Sequence, residues 1–190
     1  QDRLAIKNGS NETSPIGLFH SYEYNRLDEN TYAFSFEYAR PHCKIPRSNG
    51  KTHRSGTYIK QYFIGQIEGY PCQWFGSEAW NAYLKSENDY YLDDSPEAVP
   101  DDLPQVPSKP IGGTVTMPKV AAFVQDGRKE AVKAAIWFLV QEYGKPEEQR
   151  KVLLIKDTPE NVELWIAAIE YAFSARMAQN VNFATNRSKL

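Results

Sequence analysis

Tyr32-Ala33-Phe34-Ser35-Phe36-Glu37-Tyr38 is the stretch on which the fold turns. Its four rings fall on alternate residues, with Ala33, Ser35 and Glu37 between them. A period of two puts the rings on one side of an extended chain and the small or polar residues on the other, the pattern of a half-buried strand. Working outward, Leu18-Phe19-His20-Ser21-Tyr22, Tyr58-Ile59-Lys60-Gln61-Tyr62-Phe63-Ile64 and Pro71 to Phe75 carry the same aromatic and β-branched character between Gly, Pro and Asn punctuation. The pattern predicts an antiparallel, aromatic-rich sheet of about four strands. A short helix is expected over Ser77 to Leu84, with Ser77 as its cap and Glu78 in its first turn.

Beyond Gly112-Gly113 the apolar period becomes helical. Met117 to Gln125 reads as a short helix. Asp126 is placed to cap a longer one, on which Val132, Ile136, Leu139, Val140 and Tyr143 share a face and which Gly144 closes. Val152-Leu153-Leu154-Ile155 is a continuous apolar run of the kind found in strands covered on both faces. Asp157-Thr158-Pro159 offers a cap and a first-turn proline to a helix over Glu160 to Gln179. Val162, Trp165, Ile166, Ile169 and Phe173 form one stripe of that helix, and Leu164, Ala168, Tyr171 and Ala175 make the opposite side apolar too, so it is expected to be largely buried under the sheet. Val181 to Thr185 reads as a second strand, in a spacing that allows a right-handed parallel crossover. The class is therefore α+β: an amino-terminal, mostly antiparallel aromatic-rich sheet with a carboxyl-terminal helix-strand-helix-strand unit packed on it.

Glu87 to Pro110 carries Asp89, Asp93, Asp94, Glu97, Asp101 and Asp102 besides Glu87 itself, together with five prolines. Proline removes backbone donors and like charges repel, which favours an extended surface run. The chain accordingly divides into a β-rich subdomain over 1–86, an acidic Pro-rich linker over 87–113 and an α/β subdomain over 114–190. With 41% hydrophobic and 13% aromatic residues, it can build a sizeable core. A net charge of −2 argues against a coat for nucleic acid. The longest apolar run, Ala134 to Val140, is far short of the ~20 residues that cross a bilayer. Two cysteines, Cys43 and Cys72, fit no disulfide framework, and a cytoplasmic location is expected. An opening Gln in place of Met reads as a piece of a longer protein.

The chemical candidates are few. Residues 40–54 gather Arg40, Lys44, Arg47, Lys51 and Arg54 with His42 and His53 and no acid, a composition suited to phosphate oxygens or an acidic protein surface, and equally to a solvated hairpin tip. His42, Cys43, His53 and Cys72 lack the paired spacing of a zinc site, so no metal is expected. Cys43 beside His42 supplies the inventory of a nucleophile and base and nothing more. Trp74-Phe75-Gly76-Ser77-Glu78 is no nucleophile elbow, and Gly112-Gly113-Thr114 lacks the downstream Gly-Lys-Ser/Thr of a phosphate loop. Asp157, Thr158 and Asn161 mark a possible ligand crevice at a helix amino terminus, or else an ordinary cap. The four tryptophans, Trp74, Trp80, Trp137 and Trp165, read as core. No catalytic residue and no cofactor is assigned.

Arg54-Ser55-Gly56-Thr57-Tyr58 leading into Tyr62-Phe63-Ile64-Gly65, followed by Trp74-Phe75-Gly76-Ser77 and Trp80, resembles the amino-terminal domain of bacterial GTPase-associated proteins. Lys151 to Asp157, Glu160-Asn161, Trp165-Ile166-Ala167-Ala168-Ile169 and Phe183-Ala184-Thr185 resemble the next part of that family, so the likeness spans Leu18 to Thr185. The family's first motif reads Arg-Pro-Gly-Asn-Tyr with a histidine three residues on; here Ser55, Thr57 and Gln61 stand in those places. The resemblance implies a non-catalytic adaptor that works with a partner GTPase or other NTPase in a bacterial conflict or antiphage system, without a membrane. The alternatives are nucleic-acid or nucleotide binding through residues 40–54 and, last, hydrolase chemistry around His42 and Cys43.

Overall fold

The computed structural model describes residues 20–39, 58–81 and 109–185. Three of the expected strands form: β1 (His20–Arg26), β2 (Tyr32–Ala39) and β3 (Tyr58–Gly65). They pair antiparallel, with Tyr22 opposite Phe36, Tyr24 opposite Phe34, and Phe34 opposite Phe63. The β1–β2 connection is tied by Asp28, whose Oδ1 accepts from the backbone N–H of Asn30 and of Thr31 at 2.8 and 2.9 Å, the side-chain-to-backbone turn that aspartate favours. Those hydrogen bonds, Asn30's foremost, hold its carboxyl below the usual range.

Alternation places the rings as the sequence predicts. Tyr22, Tyr24, Tyr32 and Phe34 are buried on one face, and Phe36 and Phe63 pack beside them. Tyr62 and Ile64, on the alternate positions of β3, stay exposed. The ring centroids of Tyr22 and Phe36 lie 4.9 Å apart, those of Phe63 and Trp74 5.3 Å and those of Phe34 and Trp80 5.2 Å, within the range in which aromatic pairs attract.

The fourth strand is not the one expected. Pro71 to Phe75 forms a 3-10 turn over Pro71–Trp74, with proline at its start. That turn carries Trp74 and Phe75 into the core against the rings of the sheet, where an edge strand would have left every second side chain in water. The helix expected over Ser77 to Leu84 is, as far as the described residues go, another 3-10 turn, Glu78–Asn81, in which Ser77 Oγ accepts from Ala79 N.

The fourth strand lies instead within Val181 to Thr185, where a strand was expected at the far end of the chain. β4 (Phe183–Ala184) lies antiparallel to β1, giving the order β3-β2-β1-β4. It corrects the expected parallel crossover, and its physical reason is local: Tyr22 N donates to Thr185 Oγ1 at 2.8 Å, Thr185 N to Tyr22 O at 2.8 Å, and Arg26 N to Asn182 Oδ1 at 2.9 Å. These bonds satisfy the β1 edge only in that direction.

Four helices follow: α1 (Met117–Gln125), α2 (Lys129–Tyr143), α3 (Pro159–Glu170) and α4 (Ala175–Ala178); α3 packs on the Pro71–Trp74 turn, and the other three pack on α3. The residue capping α2 is Arg128, not Asp126, and Asp126 instead holds the Arg128 guanidinium at 2.6 Å. The helix expected over Glu160 to Gln179 divides in two. Ser174 Oγ accepts from Met177 N to start α4, and the bend before it lets the Tyr70 hydroxyl donate to the Phe173 carbonyl at 3.1 Å. The double-sided burial of α3 is as expected. Ala167 and Ala168 reach the core cluster, small enough for the helix backbone to approach the rings, while Trp165 meets Phe123 of α1 edge-on at 5.3 Å.

Val152 to Ile155 is not a strand. The segment has no regular structure, with Leu153 and Ile155 half-buried and Val152 and Leu154 exposed at 73% and 68%. The β1 edge where it could have paired is held by β4. Its entry is fixed instead by Glu142, buried on α2, whose carboxylate accepts from Lys145 Nζ at 2.6 Å and from Lys151 N at 2.7 Å. Trp137 also departs from expectation: it is 68% exposed on α2, whereas Trp74 and Trp80 are core and Trp165 is half-buried. No helix among the described residues is long and apolar enough to cross a membrane.

Candidate functional site

Arg40, Lys44, Arg47, Lys51 and Arg54, with His42, Cys43 and His53, lie outside the described residues, as does most of the acidic Pro-rich stretch. The nearest described residues on either side of the basic stretch, Ala39 and Tyr58, are direct partners across β2 and β3.

Asp157, Thr158 and Asn161 do come together, and the arrangement is a cap. Thr158 Oγ1 accepts from Asn161 N, while the Asp157 carboxylate accepts from Thr158 N at 2.8 Å, Asn161 Nδ2 at 2.9 Å and Trp165 Nε1 at 3.0 Å. These bonds, Asn161's foremost, keep the Asp157 carboxyl below its ordinary range. The same donors that could have met a ligand are engaged in starting α3.

A cavity of about 360 Å³ opens one turn away, between the sheet, the turn at Gly76-Ser77, α1 and α3. Its floor is Tyr22, Phe36 and Trp80, and its walls include Val115 and Leu164. The Tyr22 hydroxyl accepts from Gly76 N at 2.8 Å; burial pushes its ionisation far above the ordinary range, and the Glu163 carboxylate adds to that push. Gly76 is required there. Its φ is +65°, and a Cβ would come within 2.4 Å of Thr114 Cγ2. Ser77 Oγ is consumed by Ile111, donating to its carbonyl at 3.0 Å and accepting from its N–H at 3.1 Å. Two exposed charged side chains of opposite sign also line it, Lys119 on α1 and Glu160 in the first turn of α3.

A second cluster is sealed. Glu170 is fully buried at the end of α3, and Oε2 accepts from Cys72 N at 2.8 Å. Burial pushes its carboxyl up to about 8, so it is largely neutral at pH 7. Burial likewise pushes the Cys72 thiol up, with Glu170 beside it adding to the shift. A thiol held protonated is a poor nucleophile. The residues form a structural plug between α3 and the Pro71–Trp74 turn. Nothing in the sequence signalled this pair, because its members lie 98 positions apart and each sits in an otherwise apolar run.

Among the described residues no group of three His, Cys, Asp or Glu side chains is placed to hold a metal ion. No family model, curated protein or solved structure matches the chain.

Proposed function

We propose that this domain is a non-catalytic interaction module that works with a partner GTPase in a bacterial conflict or antiphage system. The observation that carries the reading is Trp137, a large aromatic side chain held 68% exposed on α2 with Val140 one turn further on the same face at 42%. A helix whose opposite face is already packed gains nothing in the free fold from such a pair, and exposed tryptophan is the residue type most often found at the energetic centre of protein interfaces. The buried, protonated state of Cys72 and Glu170 supports binding over chemistry. The resemblance to GTPase-associated proteins supplies the class of partner.

The test is complex formation with a GTPase encoded beside this gene, measured by calorimetry on the full-length chain. Micromolar association that Trp137→Ala weakens at least tenfold supports the module. Absence of a complex at that concentration, or one indifferent to Trp137, overturns it.

A further inference from the structure

We infer that residues 152–156 are a docking site for an extended peptide of a partner protein, apolar in its middle and flanked by acidic residues, which adds to the segment as an antiparallel strand.

The backbone sets the first requirement. Among the described residues no hydrogen bond reaches the backbone N–H or C=O of Val152, Leu153, Leu154, Ile155 or Lys156. Both ends of the segment are nevertheless fixed. Lys151 N donates to the Glu142 carboxylate at 2.7 Å and Arg150 Nε to the Lys145 carbonyl at 3.1 Å, while at the other end the Asp157 carboxylate ties Thr158, Asn161 and Trp165. Exposure alternates between these ends, as in a strand laid on a surface: Leu153 and Ile155 are half-buried, and Val152, Leu154 and Lys156 are exposed. Open backbone donors and acceptors beside aliphatic side chains are what an added strand pairs with. A segment already held at both ends gives up little further freedom when that strand arrives.

The flanks set the second. Lys151 and Lys156 stand exposed at either end of the apolar run, and no acidic residue lies within residues 150–156. Asp157, which follows, has its carboxylate taken up by three donors. Charge then decides between occupants. A second copy of this chain, pairing antiparallel about Leu153 and Leu154, would set Lys151 opposite Lys156 at both ends, and like charges directly opposite are destabilising. A strand with an acid at each end of a matching apolar stretch sets an opposite charge against each lysine. An anionic membrane would also suit cations beside exposed aliphatics, but it makes no use of the open backbone groups.

The test uses the full chain and the synthetic peptide acetyl-Glu-Val-Leu-Val-Leu-Glu-amide. Calorimetry is expected to show this peptide binding, and its lysine-flanked counterpart binding about tenfold more weakly. Amide exchange at residues 152–156 should slow when the peptide is bound. N-methylation of alternate peptide amides along one edge should abolish binding, and along the other edge should not, because only one edge pairs. Lys156→Glu should abolish the acidic peptide's advantage, since each peptide then meets one like and one opposite charge; the position is exposed, and unchanged thermal melting confirms the fold. No binding of the acidic peptide at about 1 mM overturns the inference. So do equal tolerance of both N-methylated forms, binding to anionic phospholipid vesicles in the peptide's place, and a dimer of the free chain that protects the amides of residues 152–156. None of these measurements involves a GTPase or Trp137, so the two readings fail separately.

Discussion

The backbone N–H of Cys72 donates to Oε2 of Glu170 at 2.8 Å inside the core, joining the turn after the sheet to the end of α3. Glu170 ionises near 4.5 in an unfolded chain and, raised by burial, only near 8 in the fold. Between those values the native state keeps a proton that the unfolded state has lost. The contribution of the neutral acid is complete below pH 4.5 and is lost as pH rises toward 8, with a slope of about 1.4 kcal/mol per pH unit. Urea melts at pH 5, 6.5 and 8 are expected to show stability falling with pH, and Glu170→Gln to flatten the trend. An unchanged slope in that variant would remove Glu170 as its source.

Thr185 makes two bonds to Tyr22, accepting the Tyr22 N–H on Oγ1 and donating its own N–H to the Tyr22 carbonyl. Thr185→Val keeps the shape and leaves the Tyr22 N–H buried without an acceptor. A loss of about 1–3 kcal/mol is expected, with faster amide exchange along β1. Exchange as slow as in the parent would mean that β4 does not secure this edge.

Phe34 is fully buried and touches the rings of Tyr22, Tyr24, Trp74, Trp80 and Phe183. Phe34→Ala should cost about 3–5 kcal/mol in equilibrium unfolding, since five aromatic neighbours cannot all collapse into the space. Phe34→Leu, which retains most of the volume, should cost less. Equal costs would indicate a loosely packed centre.

Gly76→Ala combines a positive φ with a Cβ 2.4 Å from Thr114 Cγ2. The expected loss is about 1–3 kcal/mol. Pairing it with Thr114→Gly should recover the steric part and leave the backbone part, which a double-mutant cycle separates.

The strands β1, β2 and β3, the α+β class and the double-sided burial of α3 were legible in the chain, because each rests on a local period of rings or aliphatic residues that survives any tertiary arrangement. Asp157-Thr158-Pro159 likewise announced the start of α3 through chemistry confined to a few neighbouring residues. What only the tertiary structure decided was where those periods were spent. Val152 to Ile155 reads as a buried strand by composition, yet the β1 edge is taken by Phe183–Ala184 through bonds to Thr185 and Asn182 that no sequence pattern marks. Pro71 to Phe75 has strand composition, but its rings reach the core only by turning. The cavity, lined from the sheet, α1 and α3, and the buried Glu170 beside Cys72 are contacts between segments far apart in sequence. Periodicity describes one element at a time, and these sites exist only between elements.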